Sequence, residues 1–276
     1  MLNLAGVAVE AVSVGGLETC IQLPGYNLAF DIGRSGRSAA QRERVFITHA
    51  HIDHLGALAQ HAATRGLLGL SPPTYIMAPA LIPDVTALLE VWRRLDRSTL
   101  DCTLQAMSPG ESLPLGKDVS ARAFRALHRL PCQGYGIWRQ RRRLRAELQG
   151  MPEGEIRARR MRGEAVTQDV EVLEAAFCGD SLIDVVDREP ALLSAGLLIL
   201  EVSFLDERVS VESARGMGHV HLDEVIARAE LFQNRAILFT HLSARYTYAE
   251  AMEVLEARLL PNLKERVTLL PPPPLS

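Results

Sequence analysis

The stretch THAHIDHLG, residues 48–56, constrains this chain more than any other feature. It follows the apolar run VFI and precedes LGALAQHAATRGLLGL, whose apolar spacing and alanines predict a helix. Alternate residues at a strand end lie on one side, so His49 and His51 bring two imidazoles together. Neutral imidazole nitrogens are good zinc ligands. Asp53 and His54 fall where the chain turns into the helix and can face a neighbouring second ion. In a chain with 8 histidines, an HxHxDH string arises by chance roughly once in a few thousand such sequences. Surface histidines by accident is therefore a weak reading. One loop cannot complete a two-metal site, so the remaining donors must come from elsewhere.

Later strand ends offer them. His128 follows ARAFRAL, Asp180 stands in FCGDS, and His241 ends AILFTH. Each alone has a bland explanation, a hydrogen-bonded core histidine or a turn-forming aspartate, but joint placement after strands favours ligation. A carboxylate such as Asp180 can give one oxygen to each of two cations.

The strings GVAVEAVSV, ETCIQLPG, NLAFDIG and RVFITHA read as strands laid down in succession. Strand character returns in DVSARAFRAL, EVLEAAFCGD, LLILEVSF and AILFTHL. PDVTALLEVWRRL, LDEVIARAELF and YAEAMEVLEARLL carry helical periodicity. Strands with helices in both halves, and no linker, predict one α/β domain over 1–276. Residues 138–166 stand apart as a basic insertion. Nine arginines against three glutamates lie between Arg139 and Arg162, with little strand character. Trp138, Leu144, Leu148 and Met151 recur there at near-helical spacing, so the arginines are either a grip for phosphates or the solvated face of a surface hairpin; the segment could also act as a lid. The tail PPPPLS is expected to be an exposed end.

With 47% hydrophobic residues the chain can build a sizeable core. A net charge of −3 excludes a global basic field, so attraction to nucleic acid must be local. No uninterrupted apolar run approaches the ~20 residues of a membrane span, and the apolar start lacks a basic leader, which makes the cytosol the expected location. Cys20, Cys102, Cys132 and Cys178 are scattered, without a CxxC pair, and read as reduced thiols.

The ordered set THAHIDHLG, His128 near GYGI, FCGDS, LEVSF, GHVH and THLSARYT resembles the ribonuclease Z branch of the metallo-β-lactamase superfamily, from Asp31 nearly to Tyr246. THLSARY is specific to that branch. The resemblance implies a four-layer αββα sandwich with the site at one edge between the sheets. It implies two metal ions, zinc by ligand type with manganese or iron also compatible. One would take His49, His51 and His128, the other Asp53, His54 and His241, with Asp180 bridging. It further implies that Glu201 in LEVSF and His219 in GHVH form a proton-donating pair, that Asp31 orients a ligand histidine, and that the protein is a homodimer. His221 has no role in the family and is as readily a supporting residue around the ligands. Of Ser243, Arg245 and Tyr246, which follow the last ligand, Arg245 could hold a phosphate or brace the metal loop.

The chain also departs from the family. SVGGLETC and DIGRSGRSAAQ replace its glycine-rich turn and acidic loop, and WRQRRRLRAELQGMPEGEIRARRMR replaces its Gly- and Pro-rich tRNA-gripping arm. Three functions follow. The first is a phosphodiesterase related to ribonuclease Z, acting on tRNA precursors or another RNA, with a metal-bridging hydroxide as nucleophile, Asp53 beside it, and His219 as proton donor. The second keeps the metals but opens a small-molecule ester, lactam or cyclic phosphodiester. The third is a nucleic-acid-binding module with structural metals, disfavoured because structural zinc sites are usually closed and mononuclear.

Overall fold

The apolar runs of the sequence become the buried strands of two facing sheets in the computed structural model, which describes residues 1–272; Pro273 to Ser276 of the expected tail lie outside the described residues. The first sheet contains β1 (Leu2–Leu4), β2 (Val7–Gly15), β3 (Glu18–Leu23), β4 (Leu28–Phe30), β5 (Arg44–Phe46), β6 (Thr74–Met77) and β7 (Thr103–Ala106), in that spatial order. The second contains β8 (Ser112–Pro114), β9 (Val119–Arg125), β10 (Gln133–Leu144), β11 (Thr167–Phe177), β12 (Leu197–Glu201) and β13 (Ala236–Thr240). β14 (Leu242–Ser243) crosses to pair in parallel with β2, and β15 (Val267–Leu269) pairs with β13. Each sheet begins with antiparallel pairs and ends with parallel ones, the change coming at β4 in the first and β11 in the second.

Parallel strands need crossovers, and helices supply them. α1 (Ile52–Leu55), α2 (Leu58–Leu67) and α3 (Ile82–Asp96) belong to the first half. α4 (Glu153–Met161) lies between β10 and β11, and α5 (Asp184–Arg188), α6 (Val211–Met217), α7 (Leu222–Ile226), α8 (Tyr248–Arg258) and α9 (Pro261–Lys264) belong to the second.

Three apolar clusters separate four layers, the αββα sandwich expected. The middle one, with Ile21, Phe30, Phe46, Tyr135, Phe177, Leu197, Ile199 and Leu238, lies between the sheets. Ile47, Leu58, Tyr75, Val85 and Leu89 fill the space between the first sheet and α2 and α3. Leu198, Leu200, Ile237, Phe239, Val225 and Leu255 fill that between the second sheet and its helices. Strand alternation explains the split: in β12, Leu197 and Ile199 face the other sheet while Leu198 and Leu200 face helices, so an unbroken apolar run marks a strand buried on both sides.

Two segments depart from expectation: the arginine interval, read as having little strand character, opens as a strand, and one helix is shorter than its periodicity. The near-helical spacing of Trp138, Leu144, Leu148 and Met151 does not make a helix; β10 runs to Leu144 as a strand, pairing Arg139 with Val172 and Leu144 with Thr167, and α4 begins only at Glu153. Backbone pairing with β11 overrides a weak side-chain pattern. The interval is thus a long hairpin, and many of its arginines are paired: Arg139 and Arg141 with Glu174, Arg142 with Asp169, Arg145 with Glu147, Arg159 and Arg162 with Glu164. The other is LDEVIARAELF, where α7 stops at Ile226. Arg228 reaches back to the Glu224 carbonyl and across to Asp187 of α5, satisfying the helix end where the chain turns.

Candidate metal centre

Every candidate ligand stands just beyond the carboxyl end of a strand or at the start of α1. This is where open α/β sheets place their ligands. After β5 the chain extends through His49 and His51 and turns into α1 with Asp53 and His54. His128 follows β9, Asp180 follows β11, and His241 follows β13. Gly179 makes the approach of Asp180 possible: it has a left-handed φ of 64°, and a Cβ there would stand 2.8 Å from Thr48 Cβ.

The donor atoms converge. Those of His49, His51, His128 and Asp180 lie within 4.8 Å of one another, and so do those of Asp53, His54 and His241. His49 Nε2 is 2.9 Å from His51 Nδ1, which is 3.4 Å from His128 Nε2. Adjacent ligands of a tetrahedral zinc ion with Zn–N near 2.0–2.1 Å are about 3.3 Å apart, so the spacing fits a cation. Asp180 stands between the groups: Oδ1 is 3.3 Å from His54 Nε2, and Oδ2 is 3.4 Å from His241 Nε2 and 3.8 Å from His49 Nε2.

Hydrogen bonds behind the ring nitrogens fix which atom faces the centre. His54 Nδ1 donates to Asp31 Oδ2 at 2.8 Å, His49 Nδ1 to Thr48 Oγ1 at 3.0 Å, His128 Nδ1 to the Gly218 carbonyl at 2.9 Å, and His241 Nδ1 to Ser203 Oγ at 3.0 Å. Each of these four rings presents Nε2, with its lone pair, to the others. Asp31 is wholly buried and also accepts from the Thr48 amide and hydroxyl. Gly218 combines a φ of 85° with close approach, since a Cβ would stand 2.6 Å from His128 Nδ1. Asp31 and His241 each adopt a φ of 58°, an uncommon left-handed backbone that re-aims the chain after β4 and β13.

The electrostatics ask for positive charge. Burial opposes ionisation of Asp180, yet His241, His54 and His49 outweigh it and hold the carboxyl well below the usual range. Burial likewise opposes charge on His54, but Asp180 and Asp31 raise its proton affinity well above normal. Asp53, despite some burial, is held at about 2 by His241 and His54, and burial pushes His49 down to about 2. Carboxylates held ionised beside converging imidazoles form a donor set suited to a divalent transition-metal ion.

Beside this array stands a second device. Glu201, buried at the end of β12, accepts from the Ser181 amide at 3.0 Å, from Ser203 Oγ at 2.7 Å, and from His219 Nδ1 at 3.0 Å. Burial disfavours the His219 cation, but the Glu201 charge and hydrogen bond prevail and raise its pKa. The carboxylate thus holds the ring by Nδ1 and favours its protonated form.

Other sequence candidates go elsewhere. His221 caps α7, accepting from the Asp223 amide and placing Nε2 3.1 Å from the Asp206 carbonyl, and makes none of the described hydrogen bonds to a ligand; its pairing with Phe204 turns it toward the helix. Tyr246 is buried, its hydroxyl accepting from the Leu205 amide and donating to Asp206, so it braces the loop and is not presented to a substrate. Ser243 is buried against the exposed Arg245, whose guanidinium lies 5.8 Å from the Phe204 ring centre and has no carboxylate partner among the described residues. Sequence reasoning passed over Thr48 and Ser203, the oxygens behind His49 and His241. It also passed over Gly16, whose amide donates to Asp53 Oδ2 at 3.0 Å. Their only signal was position inside THAHIDH, LEVSF and SVGG.

A family model described as a beta-lactamase superfamily domain matches residues 29–242. The chain is 40% identical over 98% of its length, and 96% of the relative's, to a tRNase Z of Arabidopsis thaliana. It is 36% identical to a chloroplastic tRNase Z of the same plant, over 91% of this chain and 72% of that one. In fold it is similar to the crystal structure of the short form of human tRNase Z, with a TM-score of 0.62 at 18% identity over 96% of each chain. It is equally similar to the metallo-beta-lactamase fold protein YhfI of Bacillus subtilis, with a TM-score of 0.62 at 16% identity over 96% of each chain.

Proposed function

This chain belongs to the ribonuclease Z family of the beta-lactamase superfamily, and from that premise we propose that it is a metal-dependent endonuclease that removes the 3′ extension of tRNA precursors. The observation that carries the proposal is the Glu201–His219 pair set against the seven-donor array. A closed structural zinc site has no use for a proton donor at its edge. The relatives at 36% and 40% identity bear tRNase Z names, which favours RNA over a small ester or lactam.

We assign two zinc ions per chain, one to His49, His51 and His128, the other to Asp53, His54 and His241, with Asp180 shared. Imidazole and carboxylate donors support zinc, and manganese or iron would suit a similar set. When bound, the ions supply Lewis acidity and make hydroxide available at neutral pH. The chain does the rest. Asp53 Oδ1, which makes none of the described hydrogen bonds, is available to accept a hydrogen bond from the attacking water and orient it; Glu201 holds His219 by Nδ1, which leaves Nε2 to protonate the leaving oxygen. Arg245, extended over Phe204 without a carboxylate partner among the described residues, is available to a phosphate.

The hairpin of β10 and β11 serves, in this reading, in place of the family's substrate arm, with Arg143, Arg157 and Arg160, which lack acidic partners among the described residues, as its phosphate contacts. The partners proposed also include a second copy of this chain. α3 exposes Leu88, Val91, Trp92 and Leu95 as one stripe. Asp84 in its first turn complements Arg93 and Arg94 in the last turn of an antiparallel copy, and a monomer by light scattering removes this assignment. No helix among the described residues is long and apolar enough to cross a membrane. The unpaired cysteines support a reducing compartment, the cytosol.

The test is metal content together with cleavage of a 3′-extended tRNA precursor. About two zinc ions per chain and a single cut are expected; zinc with no RNA cleavage, alongside turnover of a small chromogenic phosphodiester, rejects the RNA substrate.

A further inference from the structure

Between β9 and β10 the chain forms one wall of a cavity of about 620 Å³, within the range of small-ligand sites. Its lining includes the candidate ligand His128, the cations Arg125 and Arg129, the apolar Leu130 and Pro131, and Gln133 at the inner side. Neither arginine makes a salt bridge or side-chain hydrogen bond among the described residues, and both are exposed. This contrasts with the hairpin, where most arginines are paired within the chain. The Arg129 stem passes against Gly218, its Cγ 3.2 Å from where a Cβ on that glycine would stand, which brings it beside His128 and His219. Gln133 is buried, donates through Nε2 to the Met107 carbonyl and the Tyr135 hydroxyl, and leaves Oε1 without a partner among the described residues. That oxygen is enclosed by protein and does not reach the cavity, so the two free guanidiniums are left as its charged contacts.

Two unpaired guanidiniums that open beside a metal ligand suit phosphate oxygens, which they can hold in bidentate geometry. The proline and leucine give a ribose or base a surface to rest on. We propose that this cavity receives the RNA nucleotide adjoining the scissile bond, with Arg125 and Arg129 holding its phosphate and so fixing the reacting phosphorus over the metal centre. The inference rests on the RNA substrate proposed above and adds the position of a strand within the site. Arg125 and Arg129 are positioning residues, since neither touches the reacting atoms.

The experiment compares wild type, Arg125→Gln, Arg129→Gln, the double variant, and a control, Arg188→Gln on α5, on a 3′-extended tRNA precursor and on a small chromogenic phosphodiester, at two salt concentrations. Both arginines are exposed, so the variants are expected to fold and keep their metal, which metal analysis checks. On RNA, kcat/KM falls by about tenfold or more for each arginine, mainly through KM, and the salt dependence of log KM flattens by about one for each phosphate no longer held. The small diester loses at least tenfold less, and the control behaves as wild type. Undiminished RNA cleavage by the double variant, or equal losses on both substrates, overturns the subsite while leaving the ribonuclease reading intact. A wild-type protein that turns over the diester and leaves RNA uncut overturns both.

Discussion

The two halves of the molecule build one site by opposite means. The first sheet gives His49, His51, Asp53 and His54 from a single loop after β5, so their relative positions follow from local chain geometry. The second gives His128, Asp180, Glu201 and His241 from the ends of β9, β11, β12 and β13, and brings them together only through sheet register: Phe177 opposite Ile199, Glu201 opposite Thr240. A slip of one residue in that register would turn the donors to the wrong face. The first half thus sets four candidate donors by local geometry, whereas the second must fold as a sheet before its own come together. Yet His49, His54, His128 and His241 are fixed alike, with an oxygen behind Nδ1, and each half has a left-handed residue after a strand, Asp31 beyond β4 and His241 beyond β13.

Asp180 lies against His49 and His54 of the first half and His241 of the second, so its loss has the largest expected effect. Asp180→Ala should empty both metal positions and reduce cleavage to background, beyond the about 100-fold that follows from losing a supporting group. Metal analysis alongside an assay checks this. His51→Ala, at the more open end of the first loop, should mainly release one ion; equal loss of both ions in the two variants would break the idea that Asp180 alone spans them. His219→Ala should leave metal content unchanged and lower kcat on the order of 10²- to 10⁴-fold, the range for removal of a general acid. Metal loss in that variant would make His219 a ligand, which its separation of 3.9 Å from Asp180 leaves geometrically open.

How much was legible in the sequence follows the same division. The dense loop announced itself because four donors in six residues have no easy bland explanation. Strand ends in the second half were legible as apolar runs closing on one polar residue, in FCGDS, LEVSF and AILFTH. β10 was obscured, since a strand that pairs on both edges and carries arginines outward has neither an apolar run nor clean alternation. Tyr246 and His221 read as site residues by proximity in sequence, but one turns its hydroxyl inward and the other caps a helix; no pattern reveals such a turn before the backbone is placed. Thr48, Ser203 and Arg129 are common residue types whose roles arise only from what they touch.

Those silent oxygens give the next comparison. Thr48→Val removes the acceptor behind His49 and a donor to Asp31; Ser203→Ala removes the acceptor behind His241 and a donor to Glu201. Each should weaken metal binding by about 10- to 100-fold, measured by chelator competition. Ser203→Ala should also lower kcat of the metal-saturated protein, because the same hydroxyl supports the carboxylate that holds His219. If Thr48→Val lowers that kcat equally, the proton-donating function does not belong to the second half alone.

The smallest effect tests the first half away from its metal loop. His61, on α2, is buried with Nδ1 2.9 Å from the Tyr75 hydroxyl and Nε2 3.1 Å from the Ala39 carbonyl, and burial lowers its pKa to about 4. The folded protein resists protonating this ring, while the unfolded chain, at about 6.5, accepts the proton. Protons therefore favour unfolding. The contribution is whole above pH ~6.5 and is lost as pH falls toward about 4, by up to about 3 kcal/mol from a shift of that size. Denaturant unfolding of wild type and His61→Leu from pH 7.5 to 4 should show the difference between them shrinking in favour of the variant as pH falls. A pH-independent difference would mean that His61 titrates in the fold much as it does in the unfolded chain. The first half would then owe none of its acid sensitivity to this ring, and its metal loop would be the place to look for it.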